Sequence, residues 1–446
     1  QDGDAKVHTS SGSRARLAPS NMFTPPRPKR LRKSKKLRSA RTVRDPIHNQ
    51  IDIPGVCWEI IDTPEFQRLR HLKQTGMVFR VYPSAVHSRF EHSLGVCYLA
   101  GKWVDHFREV QPDLEITEKD KYCVMLAGLC HDWGHGPYSH VFDGEFIPSV
   151  KARSNDVKDD GGGGDAHGWT HEQASQNMID FALEKNQISL VEYGLDAKDI
   201  VFIKELIDPP KNLRRHARGR GASKSFLYEI VSNKICGLDV DKFDYFQRDR
   251  FFTGMGTGDL SINYIIKQSR VKVVDGMRQI CFPEKCVRQI LEIYRARFNL
   301  HHSVYQHRVV KSLELMLVDA LLLANDHTPI KGCSTIASCI ENMEAYAWLN
   351  DSILDLIVHR SYNPSLSAQA VKDLTKARKI IEQMRSRRLY KCVGAVVYKP
   401  PHTTHARFFR QGIRAAVACC DDAKKGRNIQ NTCSLAERER ERERER

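Results

Sequence analysis

The chain has 446 residues, a hydrophobic fraction of 41% and a formal charge of +16. That is enough apolar sequence for a real core, and the length suits two or three domains or one large domain with appendages. No stretch approaches the ~18 consecutive apolar residues of a membrane span, so no membrane partner is expected. The first residues contain no apolar run, so no leader is expected there. Thirteen cysteines without a Cys-x-x-Cys pair read as reduced, buried thiols in an intracellular protein.

Much of the charge belongs to a tail. Between Ala5 and Arg44 there is no acidic residue, and Arg27 to Arg44 carries ten Lys or Arg. Residues 1–40 cannot bury enough apolar surface to fold alone. A basic run without aromatics reads first as a nuclear import signal, with the cytoplasm as a second location. It reads less well as a tether for single-stranded nucleic acid, because it offers no stacking platform.

From Asp45 the pattern becomes globular. Ile47, Ile51 and Ile53 alternate, which predicts a short strand or hairpin. Thr63 and Pro64 give an N-cap and N1 pair before Phe66, Leu69 and Leu72, a helix start. Phe90, Leu94, Cys97, Gly101 and Val104 recur at helical spacing, which predicts an amphipathic helix over 89–107 with Arg89 and His92 on one face. Thr117 to Asp120 reads as a capping box that opens a buried helix ending at Cys130. Residues 149–168, with four consecutive glycines, read as a flexible insert and not as a phosphate-binding loop, since no Gly-Lys-Ser/Thr follows. Thr170 caps another helix. Residues 209–223 read as a second flexible, basic loop. Ser225 to Asp249 reads as helix, turn at Gly237, helix. Val287 to Leu323, Ser334 to Ile357 and Lys372 to Leu389 are further helical runs. Strand-like runs are few (Val271 to Val274, Ile280 to Phe282). After Gly394 the sequence turns low-complexity and ends in five Glu-Arg pairs, with no face to bury. The reading is a mainly α core over 41–394 between tails at 1–40 and 395–446.

His131-Asp132 falls where the buried helix ends, just before Gly134, Gly136 and Pro137. A bare buried carboxylate is costly unless paired. A divalent cation would satisfy it, and imidazole with carboxylate suits Zn, Mn or Fe, or Mg with water completing the shell. The plain alternative is an Asp that caps the helix or pairs with a neighbouring His. A second acidic run, Asp239 to Asp249, places Asp241, Asp244 and Tyr245 within one helical turn with Lys242 beside them. Taken alone it reads as a solvated face.

Together these runs, His-Ser-Arg-Phe-Glu-His-Ser-Leu-Gly from His87, Cys-His-Asp-Trp-Gly-His-Gly-Pro-Tyr-Ser-His from Cys130, Trp-Thr-His-Glu-Gln from Trp169 and Asp-Val-Asp-Lys-Phe-Asp-Tyr from Asp239, resemble the HD-domain phosphohydrolases. The closest resemblance is to their deoxynucleoside triphosphate (dNTP) triphosphohydrolases, over about residues 41–394. It implies a helical HD core with few short strands, and hydrolysis of a dNTP to deoxynucleoside and intact triphosphate. The implied metal ligands are His92, His131, Asp132 and Asp241, with Mg accompanying the nucleotides. The implied proton donor is His140 with Asp143. His135 and His171, the latter paired with Glu172, are expected on the α-phosphate. Arg89, Lys242 and Arg297 are expected on the triphosphate. Tyr305 is expected against the sugar, Gln74 and Asp249 near the 3′-hydroxyl, and Tyr245 and His301 on the pocket wall. The resemblance also implies GTP or dNTP activators that assemble a dimer or tetramer. Asp62, Gln67 and Arg70 match guanine-reading positions, and Arg41 stands where the family has Lys. Arg270 and Lys285 match the neighbouring site, where Pro283 replaces an Arg. Residues 1–40 do not resemble the family's SAM domain, nor 395–446 its C-terminal lobe, so the departures concern assembly and activation. Two other readings remain: an HD scaffold that captures nucleic acid without turnover, and another HD nucleotidase or phosphodiesterase.

Overall fold

Residues 38–153, 169–256 and 260–392 are described by a computed structural model. The basic tail to residue 37, residues 154–168 of the insert and everything after Cys392 lie outside the described residues, as do the expectations placed on them. The chain opens with an antiparallel hairpin, β1 (Arg41–Asp45) and β2 (Asn49–Ile53). Ile51 and Ile53 are buried as the alternation predicts, whereas Ile47 sits in the turn. The Ile47 and His48 backbone N–H groups both donate to Asp45 Oδ1 at 2.9 Å, which makes Asp45 the turn-former. Two short helices follow, α1 (Gly55–Ile61) and α2 (Pro64–Gln67), the latter capped by Thr63 as expected.

The core is built on α3 (Arg89–Val110) and α4 (Glu118–Cys130). Ser88 with Glu91, and Thr117 with Asp120, close capping boxes that fix both helix starts. The expected amphipathic α3 is instead buried around most of its circumference, because α4 covers one side and a later helix the other. The chain continues through α5 (Ile147–Arg153), α6 (His171–Lys185), capped by Thr170, and α7 (Ala197–Ile207). Residues 209–223, read as a loose loop, hold a short helix, α8 (Leu213–His216), capped by Asn212. Arg220 in the same stretch pairs with Asp120 at 2.7 Å and Asp199 at 2.6 Å, so it is anchored to two helices.

Next come α9 (Tyr228–Val231), a turn with Gly237 in the left-handed region, and α10 (Val240–Thr253), which packs on α3. After α11 (Ile262–Gln268), a second hairpin forms from β3 (Arg270–Val274) and β4 (Met277–Cys281). The long helical run after it is not continuous. α12 (Val287–Leu300) gives way to a π turn at His301–Tyr305 before α13 (Arg308–Ala324). The run from 334 breaks into a 3-10 turn, α14 (Met343–Tyr346) and α15 (Ile353–Arg360), because the Asn342 side chain caps a new start by accepting from the Glu344 and Ala345 N–H groups. The last described helix is α16 (Ala368–Arg385). The fold is mainly α with two small hairpins among the described residues. No described helix is long and apolar enough to cross a membrane. Most of the described cysteines are buried.

Candidate metal centre and adjoining cavity

Three helix ends meet at one point. α4 stops at Cys130, so His131 takes the C-cap position and Asp132 lies just beyond it. The first turn of α3 supplies Arg89 and His92, and the first turn of α10 supplies Asp241. His92 Nε2 lies 3.3 Å from Asp132 Oδ2 and 3.2 Å from Asp241 Oδ1. His131 Nε2 lies 3.4 Å and 3.3 Å from the same two atoms. All four candidate ligand atoms fall within 4.8 Å of one another.

The imidazoles are oriented from behind. His92 Nδ1 is 2.7 Å from Asp244 Oδ2, and His131 Nδ1 is 2.8 Å from the Gly128 carbonyl. The Nδ1 atom is thus the N–H donor in each ring. The two Nε2 atoms, buried and without a hydrogen-bond partner, point their lone pairs at the carboxylates. Outer carboxylate and carbonyl partners of this kind set the tautomer of metal-binding histidines. The donor set fits a divalent cation. Burial alone would lower the His131 pKa, but the adjacent Asp132 charge lifts it to about 10. Burial likewise opposes protonation of His92, and the neighbouring Asp132, Asp241 and Asp244 carboxylates reverse that effect. Burial would raise Asp132, yet Arg89 and His131 hold it well below the carboxylate range. Protons and a cation therefore compete for the same two lone pairs.

Beside this centre lies a cavity of about 420 Å³. Gln74, Arg89, Asp132, His140, His171, Asp241, Tyr245, Asp249, His301 and Tyr305 line it, so ten of the expected residues meet around one cavity. The π turn presents His301 and Tyr305 on the same side. Tyr305 donates its O–H to Asp249 at 2.5 Å, and Asp249 also lies 2.6 Å from His87 Nε2. A larger recess of about 800 Å³ lies between residues 208–214 and 228–235. It holds no imidazole, and the chemistry belongs to the smaller cavity.

Other expected residues sit elsewhere. His135 is fully buried behind the wall and stacks on His171 at 3.9 Å between ring centroids. Burial, with the Arg89 and His171 charges, holds His135 well below the usual histidine range, so it is neutral. Asp143 lies 2.6 Å from His171 Nδ1 and 3.7 Å from His140 Nδ1. Burial would raise the Asp143 pKa, but His140 and His171 hold it far below its ordinary value. Glu172 lies 3.6 Å from His171 Nε2. Lys242 is tied to Asp239 at 2.8 Å, and Arg297 is exposed on α12. Neither lines the cavity, although the Arg297 charge acts on Lys242, Tyr245 and His301.

Sequence reasoning missed Ser139, Lys311 and Glu314 on the cavity wall, the last two paired at 2.6 Å. It also missed Asp244 as the partner of His92. Four of the expected regulatory residues form one surface group. Arg41 lies 3.0 Å from Asp62 and over the Trp58 ring. Gln67 donates to the Ile61 carbonyl at 2.7 Å and accepts from Arg70 at 2.7 Å. Arg270 begins β3 and is held by the Ser269 and Lys267 carbonyls. Lys285 lies in the turn Glu284–Cys286 after β4.

Residues 89–179 match the HD domain. The chain is 43% identical over 363 residues to "Deoxynucleoside triphosphate triphosphohydrolase SAMHD1" of Danio rerio, covering 78% of this chain and 55% of that protein. It is also 43% identical over 366 residues to the protein of that name from Homo sapiens, covering 79% and 55%. The chain thus spans about half the length of these curated relatives. "Putative HD domain-containing protein L394" of Acanthamoeba polyphaga mimivirus is 31% identical over 368 residues, covering 78% of this chain and 72% of that one. With the metal-fitting tetrad, the matched domain and a relative aligned over most of both chains, this chain belongs to the HD-domain protein family.

Proposed function

We propose that the chain hydrolyses dNTPs to a deoxynucleoside and intact triphosphate, using a divalent cation held by His92, His131, Asp132 and Asp241. One observation carries the reading: two partnerless imidazole nitrogens and two carboxylates converge beside a cavity that also presents Arg89, Asp249, His301 and Tyr305. The names of the zebrafish and human relatives support the substrate class. When bound, the cation supplies a Lewis acid that lowers the pKa of a water and polarises a phosphoryl oxygen. Imidazole with carboxylate suits Zn, Fe or Mn there, and Mg accompanies the triphosphate.

In this reaction a water oxygen bonds to the α-phosphorus, the bond from phosphorus to the 5′-oxygen breaks, and that oxygen takes a proton. His140 delivers the proton. It lines the cavity, its side chain is 73% exposed and free to follow substrate, and Asp143 stands 3.7 Å behind it. His171 is the fixed counterpart. Burial would lower its pKa, but the Asp143 contact raises it, which favours the protonated form that can balance charge building on the α-phosphoryl oxygens. His135 stacks beneath His171 and sets its ring plane. Arg89 is held by Asp132, by Ser139 Oγ at 3.0 Å and by the Gln74 carbonyl at 3.2 Å, a preorganised cation for phosphate. Lys242 and Arg297 add positive charge from the margin. Tyr305, fixed by Asp249, leaves no room for a 2′-hydroxyl, while Asp249 and Gln74 take the 3′-hydroxyl.

The same reading includes GTP or dNTP activation at the Arg41, Asp62, Gln67 and Arg70 group with Arg270 and Lys285, a dimer or tetramer, and nuclear localisation. It also allows single-stranded nucleic acid on the basic tail, tested by salt-sensitive oligonucleotide binding that disappears without residues 1–37. The core claim is tested by His131→Ala and Asp132→Asn. Both are expected to lose bound metal and turnover together, and full turnover in a metal-free variant would contradict the assignment.

A further inference from the structure

The loop from His135 to His140 carries much of the proposed chemistry, and its backbone is strained. Tyr138 and Ser139 both lie in the left-handed region, at φ 59° and 57°. Neither is glycine, and two such residues in succession persist only where their surroundings hold them. The constraint comes from a residue more than 200 positions away, in the turn between α14 and α15. The buried Asp351 carboxylate accepts the Tyr138 N–H at 2.7 Å through one oxygen and the Lys73 N–H at 2.9 Å through the other. The Asp351 carbonyl accepts the Tyr138 hydroxyl at 2.9 Å, and its N–H donates to the His71 carbonyl at 3.2 Å.

One side chain thus joins the two segments that form adjacent walls of the cavity. The join continues toward the site. Ser139 Oγ donates to the Lys73 carbonyl at 2.9 Å and accepts from Arg89 Nε at 3.0 Å. The walls approach so closely that a Cβ at Gly76 would stand 2.8 Å from the Tyr138 carbonyl oxygen. We infer that Asp351 is a positioning residue: it locks the Tyr138–Ser139 backbone against Lys73, and so sets where Ser139 holds Arg89. Asp351 touches neither the metal ligands nor the cavity and acts through Ser139. The inference rests on the proposed triphosphohydrolase reading for its kinetic readout.

The test is a double-mutant cycle on the full chain, read as kcat for triphosphate release from dGTP, with bound metal and melting temperature measured in parallel. Asp351→Asn keeps an acceptor for the Tyr138 N–H but sets an amide donor against the Lys73 N–H. It is expected to lower kcat tenfold or more with metal content retained. In a Ser139→Ala background the same change is expected to lower kcat less than threefold, because the link it acts through is already cut. Tenfold losses in both backgrounds, or no loss in either, overturn the inference. Hydrogen exchange on the unsubstituted chain keeps the test decisive if Asp351→Asn fails to fold: the Lys73 and Tyr138 amides are expected to be protected alike, and rapid exchange of either overturns the clamp. A wild-type chain that releases no triphosphate from any dNTP sinks the functional reading, and hydrogen exchange then still decides on Asp351. An active wild type matched by Asp351→Asn sinks only this inference.

Discussion

His92 Nδ1 and Asp244 Oδ2 lie 2.7 Å apart in the core, and that contact selects which nitrogen of His92 faces the metal centre. Asp244 is itself held by Arg248 at 2.8 Å and lies 2.6 Å from His48 Nε2, so its position is fixed on three sides. Asp244→Asn keeps the shape and removes the charge that favours the Nδ1–H tautomer. Metal affinity is expected to fall roughly 10–100-fold, measured by competitive chelator titration. Unchanged affinity would mean that Asp244 serves Arg248 and His48 and not the metal centre.

The same contact requires a glycine. A Cβ at Gly95 would stand 2.0 Å from Asp244 Oδ1 and 2.6 Å from Arg248 Nη2, so α3 approaches α10 only where the side chain is absent. Gly95→Ala is expected to destabilise the fold by about 1–3 kcal/mol and to displace Asp244. A lowered melting temperature with reduced bound metal is the expected pair of results. A stable variant with full metal content would show that α10 shifts freely.

Tyr305 offers a test of sugar selection. Tyr305→Ala removes both the ring and the hydroxyl that donates to Asp249. The ratio of kcat/KM for dGTP over GTP is expected to fall about tenfold or more, the scale at which a pocket discriminates by shape. An unchanged ratio would place the 2′-carbon elsewhere.

Stability is expected to depend on pH through Glu229. Burial pushes its carboxyl from 4.5 up to about 7, and Oε1 has no hydrogen-bond partner. The folded state therefore binds the proton more tightly than the unfolded state. Stability falls as pH rises from about 4.5 to about 7, reaching a loss on the order of 3 kcal/mol above that window. Glu229→Gln is expected to raise the melting temperature at pH 8 and leave it nearly unchanged at pH 4.5. Equal shifts at both values would contradict this assignment.

What the sequence revealed and what it hid follow from distance along the chain. Thr117 with Asp120, and Thr170 before His171, are local hydrogen-bond patterns, so the starts of α4 and α6 were legible. The chemical runs are short and dense, so Arg89, Asp132, His140, His171, Asp241 and Tyr245 on the cavity wall were legible as well. Asp244 and Asp351 were not recognised in their roles, because each acts on partners 152 or more residues away. Nothing in Leu349-Asn350-Asp351-Ser352 marks it as more than a turn. α3 was misread as half-exposed because its apolar spacing records one covered face, while small residues such as Gly95 admit a neighbour on the other. Lys311 was invisible as a cavity residue because the π turn at His301–Tyr305 resets the direction in which α13 leaves.

The most direct test of the proposed function is product identity. The purified chain is incubated with dGTP and Mn, with and without GTP, and the products are separated by anion exchange. Deoxyguanosine with intact triphosphate in equal amounts, abolished in Asp132→Asn, is the expected result. Release of phosphate or pyrophosphate, or no turnover with metal bound, would contradict the account.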